Sequence, residues 1–211
     1  MTRMSSTDGS TTTASRSPAA AEKGVGVGLF FASYLKNPLK VASIVPSSRS
    51  LSRLVASHVD PAKPGWVIEL GGGTGPITTA LLERGVAPKR FMVLERDPAM
   101  AQFLRDKFPD PVIVEGDALD MKAIFEREGV TQVNAVVCGL PLISLPREIG
   151  DQIVQLSLES MAKDGRFIQY TYSLFSPLQY ERFGVVPVSV KRTLFNVPPA
   201  AAWAYGFPGT K

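Results

Sequence analysis

Val67-Ile68-Glu69-Leu70-Gly71-Gly72-Gly73-Thr74-Gly75 carries the strongest fold signature of this chain. A short apolar run carries one acid and passes into a glycine-rich turn. Ile77-Thr78-Thr79-Ala80-Leu81-Leu82 follows and reads as a helix. Strand, glycine turn and helix are how an open α/β sheet builds a nucleotide-type site at the carboxyl end of its first strand. Gly71, Gly73 and Gly75 let the backbone approach a ligand where a Cβ would block it. A dinucleotide fingerprint wants its third glycine one residue later, where it packs the helix on the strand. The G-x-G-x-G spacing here argues against a dinucleotide.

The alternation continues outward. Residues 66–70 form the first strand and 77–84 its helix. Residues 90–94 form the second strand, ending at Glu95, with a helix over 98–107 capped by Asp97 and started by Pro98. Residues 112–115 are the third strand, followed by Gly116-Asp117-Ala118 and a helix over 121–128. Residues 133–138 are the fourth, ending in Gly139-Leu140-Pro141, and a helix over 148–162 leads to the fifth, residues 166–172. Strand–helix repetition predicts a doubly wound, mostly parallel α/β sheet. Residues 185–195 and 201–205 read as an antiparallel β pair at the sheet edge.

Ahead of the sheet, residues 1–23 are rich in Ser, Thr and Ala and cannot bury enough surface to offset chain entropy; a disordered tail is expected. Residues 24–60 read as N-terminal amphipathic helices. Val27, Phe30, Phe31, Tyr34 and Leu35 share one helical face, which Pro38 ends and Gly24, Gly26 and Gly28 weaken. The face suits packing on the domain or entry into a bilayer interface, and Lys23, Lys36, Lys40, Arg49 and Arg53 around it suit anionic headgroups. Ser47 or Ser48 caps the next helix, whose apolar stripe is Leu51, Leu54, Val55, His58 and Val59. His58, on that stripe, reads as a packed histidine and not a catalyst. Residues 61–211 make the main domain.

Composition bounds the function. A chain of 211 residues is long enough for one sizeable core. No apolar run reaches the ~18 residues of a membrane-spanning helix, and no signal peptide is visible. One cysteine and one histidine exclude an internal disulfide and argue against a zinc site, so no metal is expected. A net charge of +4 is mildly basic and favours a polyanionic partner, nucleic acid or membrane. Ligands of open α/β sheets lie beyond the carboxyl ends of the strands. Glu95 there can accept from both hydroxyls of a ribose, and Asp117 from an adenine amino group. Gly139-Leu140-Pro141 lies beside the place of a transferred group. Cys138 reads as a small buried residue.

With these pieces in order, residues 29–205 resemble the bacterial phospholipid N-methyltransferases, class I S-adenosylmethionine (SAM)-dependent enzymes that convert phosphatidylethanolamine to phosphatidylcholine. The matching segments are Leu35-Lys36-Asn37-Pro38, Pro46-Ser47-Ser48-Arg49, Glu69 to Gly75, Leu94-Glu95-Arg96-Asp97, Gly116-Asp117-Ala118, Gly139-Leu140-Pro141-Leu142 and Asn196-Val197-Pro198-Pro199-Ala200. The resemblance implies a Rossmann-like domain over 61–211 binding SAM through Ser47, Glu69, Leu70, Gly71, Gly73, Thr74, Gly75, Glu95, Arg96, Asp117, Ala118, Gly139 and Leu140. It implies successive methylations of one amine, with S-adenosylhomocysteine as product. It also implies a monomer seated peripherally on the inner face of the cytoplasmic membrane through its N-terminal helix, and no nucleic-acid partner.

An alkylammonium cannot attack, because its lone pair holds a proton, so the site must bind the amine neutral or take the proton away. Tyr34, Tyr170 and Tyr172 are the candidates for that work, and their rings suit a substrate that becomes a permanent cation. Lys40, Arg49 and Arg192, with Pro141, are candidates for holding the lipid phosphate. Ornithine-lipid methylation is one alternative substrate reading. Ribosomal RNA adenine dimethylases, which share the glycine turn and Gly-Asp-Ala, are the main competitor. Their fourth-strand turn is Asn-Leu-Pro-Tyr; Gly139 and Leu142 replace its amide and its base-stacking ring.

Overall fold

The computed structural model describes residues 47–173, 175–194 and 199–209. Tyr34, Lys40 and the amphipathic pattern of residues 27–35 lie outside them. So does the Ser47 side chain, although its backbone opens the first described helix.

The described elements are α1 (Ser47–Ala56), β1 (Trp66–Leu70), α2 (Pro76–Glu83), β2 (Phe91–Glu95), α3 (Pro98–Lys107), β3 (Val112–Glu115), α4 (Met121–Arg127), β4 (Val133–Cys138), α5 (Arg147–Ser160), β5 (Met161–Thr171), β6 (Val186–Thr193) and β7 (Ala200–Gly206). The seven strands form one sheet in the order β3-β2-β1-β4-β5-β7-β6. β1 to β5 pair in parallel, and β7 runs antiparallel between β5 and β6. The expected doubly wound sheet with an antiparallel edge is what the chain builds.

Period-two alternation assigns each strand residue to a face. Ile68, Leu70, Met92, Leu94, Val136 and Phe167 pack with Met121, Ile124, Ile153 and Val154 of α4 and α5. Val67, Val93, Val137 and Ile168 pack with Leu51, Val55, Ile77, Leu81 and Leu104 of α1, α2 and α3. Burial on both faces is why the inner strands read as almost unbroken apolar runs.

Several boundaries differ from expectation. Helix α1 stops at Ala56, so His58 lies in the turn beyond it. Lys191 Nζ donates to the Ser57 carbonyl oxygen at 3.0 Å, and Ser57 Oγ to that of Leu54 at 2.7 Å; these side chains satisfy the helix end. Strand β5 begins at Met161, not Arg166: Met161 pairs with Val133, and the register then shifts before Arg166 meets Ala135. Strand β2 starts one residue late, because Pro88–Arg90 forms a 3-10 turn. Asp97 caps α3 as expected, accepting from Met100 N at 2.9 Å, with Pro98 in the first turn.

Candidate functional site

The strand order reverses about β1: β2 and β3 lie on one side of it and β4 and β5 on the other. The crevice at such a switch point is where open α/β sheets bind ligands. Two turns meet there. Gly71, Gly73 and Gly75 all have positive φ, 77°, 52° and 79°, a conformation that residues with a Cβ rarely adopt. The Gly71 amide donates to the Leu94 carbonyl oxygen at 2.8 Å, and the Gly139 amide to that of Leu70 at 2.8 Å, stitching the turns to neighbouring strands. A Cβ on Gly139 would lie 2.7 Å from the Gly71 carbonyl oxygen. The Leu140 side chain packs on Gly71.

Glu95 closes one wall. Its Oε2 accepts from the Gly73 amide at 2.9 Å and its Oε1 from the Asp97 amide at 3.0 Å. The carboxylate is thus locked between the glycine turn and the start of α3, with lone pairs left for a diol. One strand further, Asp117 Oδ1 accepts from the Leu119 amide at 3.0 Å, and its Oδ2 meets Arg96 at 3.5 Å. That pair is open to water, Arg96 being 81% exposed, and adds little stability. Ala118 is buried behind Asp117 and Thr74 is buried within the glycine turn.

Glu69 is the electrostatic oddity. It is fully buried on β1 and accepts from Thr78 Oγ1 at 2.8 Å, while its Oε1 has no protein partner. Burial pushes its carboxyl up to about 8; the Thr78 bonds oppose that shift and the Glu95 charge adds to it. Cys138, buried at the end of β4, is pushed up to about 12 by burial and is no nucleophile. His58 is held near 4 by burial, with Lys191 and Arg84 lowering it further; it lines an open groove with Arg166 and Lys191 and none of the residues around the glycine turn. The reading of a packed histidine matches this placement.

The remaining candidates stand at the carboxyl ends of β5 and β6. The Tyr170 and Tyr172 rings meet edge to face, centroids 6.3 Å apart. Arg192, on β6, lies over the Trp203 ring at 6.0 Å. A hydrogen bond of 3.0 Å between Ser50 and Thr193 brings the first turn of α1, and exposed Arg49, to the same end. Pro141 opens the short turn after β4. Two groups gather: the donor residues around β1, β2 and β3, and a second set beyond β4, β5 and β6.

Several further residues contribute without a signal of their role in the sequence. Thr78 is the partner that fixes Glu69. Lys107 Nζ donates to the Thr74 carbonyl oxygen at 2.9 Å, and Phe108 fills the space a Cβ on Gly75 would enter. Gln169, buried in register with Cys138, has an Oε1 without a protein partner. Of these, only Gln169 lies on a strand, where the alternation of faces signals burial but not polarity; Thr78 on α2 and Lys107 on α3 are marked by no local rule.

The residues fit SAM. The cradle at Gly71 and Gly139 leaves no room for a Cβ, Glu95 suits a ribose diol, Asp117 an adenine, and Glu69 keeps an unpartnered acceptor beside them.

Comparison with known proteins agrees. The family described as ribosomal RNA adenine dimethylase matches residues 30–175. An ornithine lipid N-methyltransferase of Singulisphaera acidiphila is 35% identical over 181 residues, 83% of this chain and 93% of that protein. A probable ribosomal RNA small subunit methyltransferase A of Natronomonas pharaonis is 42% identical over 79 residues, which span only 28% of that protein. Among solved structures, the 1,6-didemethyltoxoflavin-N1-methyltransferase of Burkholderia thailandensis, with bound S-adenosylhomocysteine, superimposes with a TM-score of 0.59 at 14% identity, covering 90% of this chain and 92% of that one. At that identity the likeness speaks for the fold alone.

Proposed function

This chain belongs to the ribosomal RNA adenine dimethylase family of class I SAM-dependent methyltransferases, and from that premise we propose that it N-methylates the primary amine of a membrane aminolipid. Ornithine lipid is the first substrate of this reading and phosphatidylethanolamine the second. The observation that carries it is the turn after β4. Gly139 offers no side-chain amide to a base, and its contact with the Gly71 carbonyl oxygen leaves no space for one. Leu142 offers no stacking ring, a contact worth roughly 1–3 kcal/mol per base in proteins that use it. The near full-length match to an ornithine lipid enzyme supports the same reading, whereas the archaeal ribosomal match covers 35% of this chain.

SAM, when bound, supplies an electrophilic methyl group that needs no further activation by the protein. The chain's own work is alignment and water exclusion. Glu95 and Asp117 hold the nucleoside, and the glycine turn holds the backbone close. The Tyr170–Tyr172 corner lies where the amine arrives. A phenol oxygen there accepts a hydrogen bond from an N–H of the neutral amine and so aims the nitrogen lone pair at the methyl group; the proton that the nitrogen sheds passes to water. The two rings also present π faces to an increasingly methylated nitrogen. Arg49 and Arg192 flank this corner and suit an anionic headgroup.

The test is a three-way competition. Purified protein is given methyl-labelled SAM with vesicles containing ornithine lipid, vesicles containing phosphatidylethanolamine, or small-subunit ribosomal RNA. Label in ornithine lipid is expected first. Label in RNA and in neither lipid overturns the proposal.

A further inference from the structure

Among the described residues, five large apolar side chains are exposed: Ile143, Tyr172, Phe175, Val186 and Leu194. Scattered single exposures need no explanation. Four of these five are not scattered. Ile143 follows β4, Tyr172 and Phe175 follow β5, and Leu194 follows β6. Strand β4 is parallel to β5, and β5 and β6 are both antiparallel to β7, so all three connections leave the sheet at one end. That end carries the Gly71 and Gly139 turns. From β4 to β6 is three strand spacings, about 14 Å. Ile143, Phe175 and Leu194 are 74%, 80% and 81% exposed, so their side chains stand almost free of the protein.

Charge says what covers this rim. Arg49 is exposed on the first turn of α1, which the Ser50–Thr193 hydrogen bond holds beside Leu194. Arg192 is exposed and steadied over the Trp203 ring. Arg147, at the start of α5, pairs with Asp151 at 3.7 Å. Separate apolar tips with guanidinium groups at their β6 side suit the boundary between anionic headgroups and acyl chains.

We propose that Ile143, Phe175 and Leu194 form a bilayer-docking rim, which seats the carboxyl ends of the strands on an anionic membrane with Arg49 and Arg192 among the headgroups. The purpose of the rim rests on the aminolipid reading above; its existence does not. Docked this way, the crevice between the glycine turn and the tyrosine corner opens toward the lipid surface. An amine at the headgroup level reaches it without the lipid leaving the membrane.

The experiment uses the full chain and vesicles of phosphatidylcholine with phosphatidylglycerol, which contain no primary amine. Binding is therefore read independently of methylation. The F175W variant is mixed with vesicles whose acyl chains are brominated, and its emission is compared with that of the wild-type protein, which reports Trp66 and Trp203. Quenching and a blue shift specific to F175W are expected. F175S and L194S should each weaken vesicle partitioning about tenfold while leaving the SAM dissociation constant unchanged. Vesicle-bound F175W with unquenched emission overturns the proposal, as does no binding at all. A blue shift without vesicles also overturns it and assigns the rim to residues 1–46, or to a second copy if the shift follows protein concentration. Docking without label in any lipid would instead count against the aminolipid reading alone.

Discussion

Lys107 donates from Nζ to the Thr74 carbonyl oxygen at 2.9 Å, tying the end of α3 to a glycine turn 33 residues earlier in the chain. The ammonium also lies 5.0 Å from the Phe108 ring centroid and 5.6 Å from that of Phe103. Partial burial lowers its pKa from the ordinary lysine value. A charged donor on a backbone carbonyl contributes roughly 1.5–3 kcal/mol. K107M keeps the stem and loses the bond. It should raise the SAM dissociation constant about tenfold and lower the unfolding midpoint by several degrees, as calorimetric titration and a thermal melt would check. An unchanged affinity would mean that the turn holds its shape without the tether.

Glu95 makes a sharper prediction. Its two oxygens already hold the Gly73 and Asp97 amides, so it serves the turn and the ligand together. E95A should weaken SAM binding by about 100-fold, and E95Q nearly as much, because the amide nitrogen of Gln only donates and so leaves one of the two backbone N–H donors without an acceptor. A D117A variant should lose only about tenfold, since that carboxylate lies at the solvent edge beside Arg96. Equal losses for the two would contradict the asymmetry of their bonding.

Gly139 is predicted to resist conversion to the base-binding type. A Cβ there lies 2.7 Å from the Gly71 carbonyl oxygen and 3.1 Å from that of Leu70, both rigid backbone atoms. Overpacking of this kind costs about 1–3 kcal/mol. G139N should lower the melting temperature by several degrees and weaken SAM binding. The double variant G139N/L142Y should gain no methylation of ribosomal RNA. Label transfer to RNA by that variant would show the turn to be more plastic than its contacts imply.

The sequence made the sheet legible because burial on both faces leaves little freedom: β1, β2 and β4 are buried along nearly their whole length and read as largely apolar runs bounded by turn residues. The glycine turn was legible because positive φ restricts residue choice. Asp97-Pro98 announced α3 by a local rule. What was hidden is long-range. Nothing local says that Met161 pairs with Val133 across a register shift, or that β7 inserts between β5 and β6. The end of α1 depends on Lys191, 134 residues away from Ser57 in the chain. The motif marks Glu69 as a site residue, but its unusual protonation comes from the walls around it, which only the packed structure supplies.

Those walls lead to the last prediction, which sets two buried groups against each other. The Glu69 carboxyl is raised from its ordinary 4.5 to about 8, so between those values the folded state holds a proton that the unfolded state has lost. Stability from Glu69 is complete below 4.5 and falls as pH rises toward 8, by at most about 1.4 kcal/mol per pH unit. His58, the chain's single histidine, is lowered from 6.5 to about 4, with Lys191 and Arg84 facing it and the Ala202 backbone accepting its hydrogen bond. Between those values the unfolded state holds the extra proton, so stability rises with pH. The two slopes oppose each other from about 4.5 to 6.5, and above 6.5 only the Glu69 slope remains. The surface carboxylates of Asp164 and Glu159, held low by Lys63 and Lys122, act below this window. Urea midpoints should therefore change little from pH 5 to 6.5 and fall from 6.5 to 8. E69Q should abolish the fall, and H58N should start it near pH 4.5. A wild-type midpoint that stays level through pH 8 would place the Glu69 charge in a far wetter setting than its burial on β1 allows.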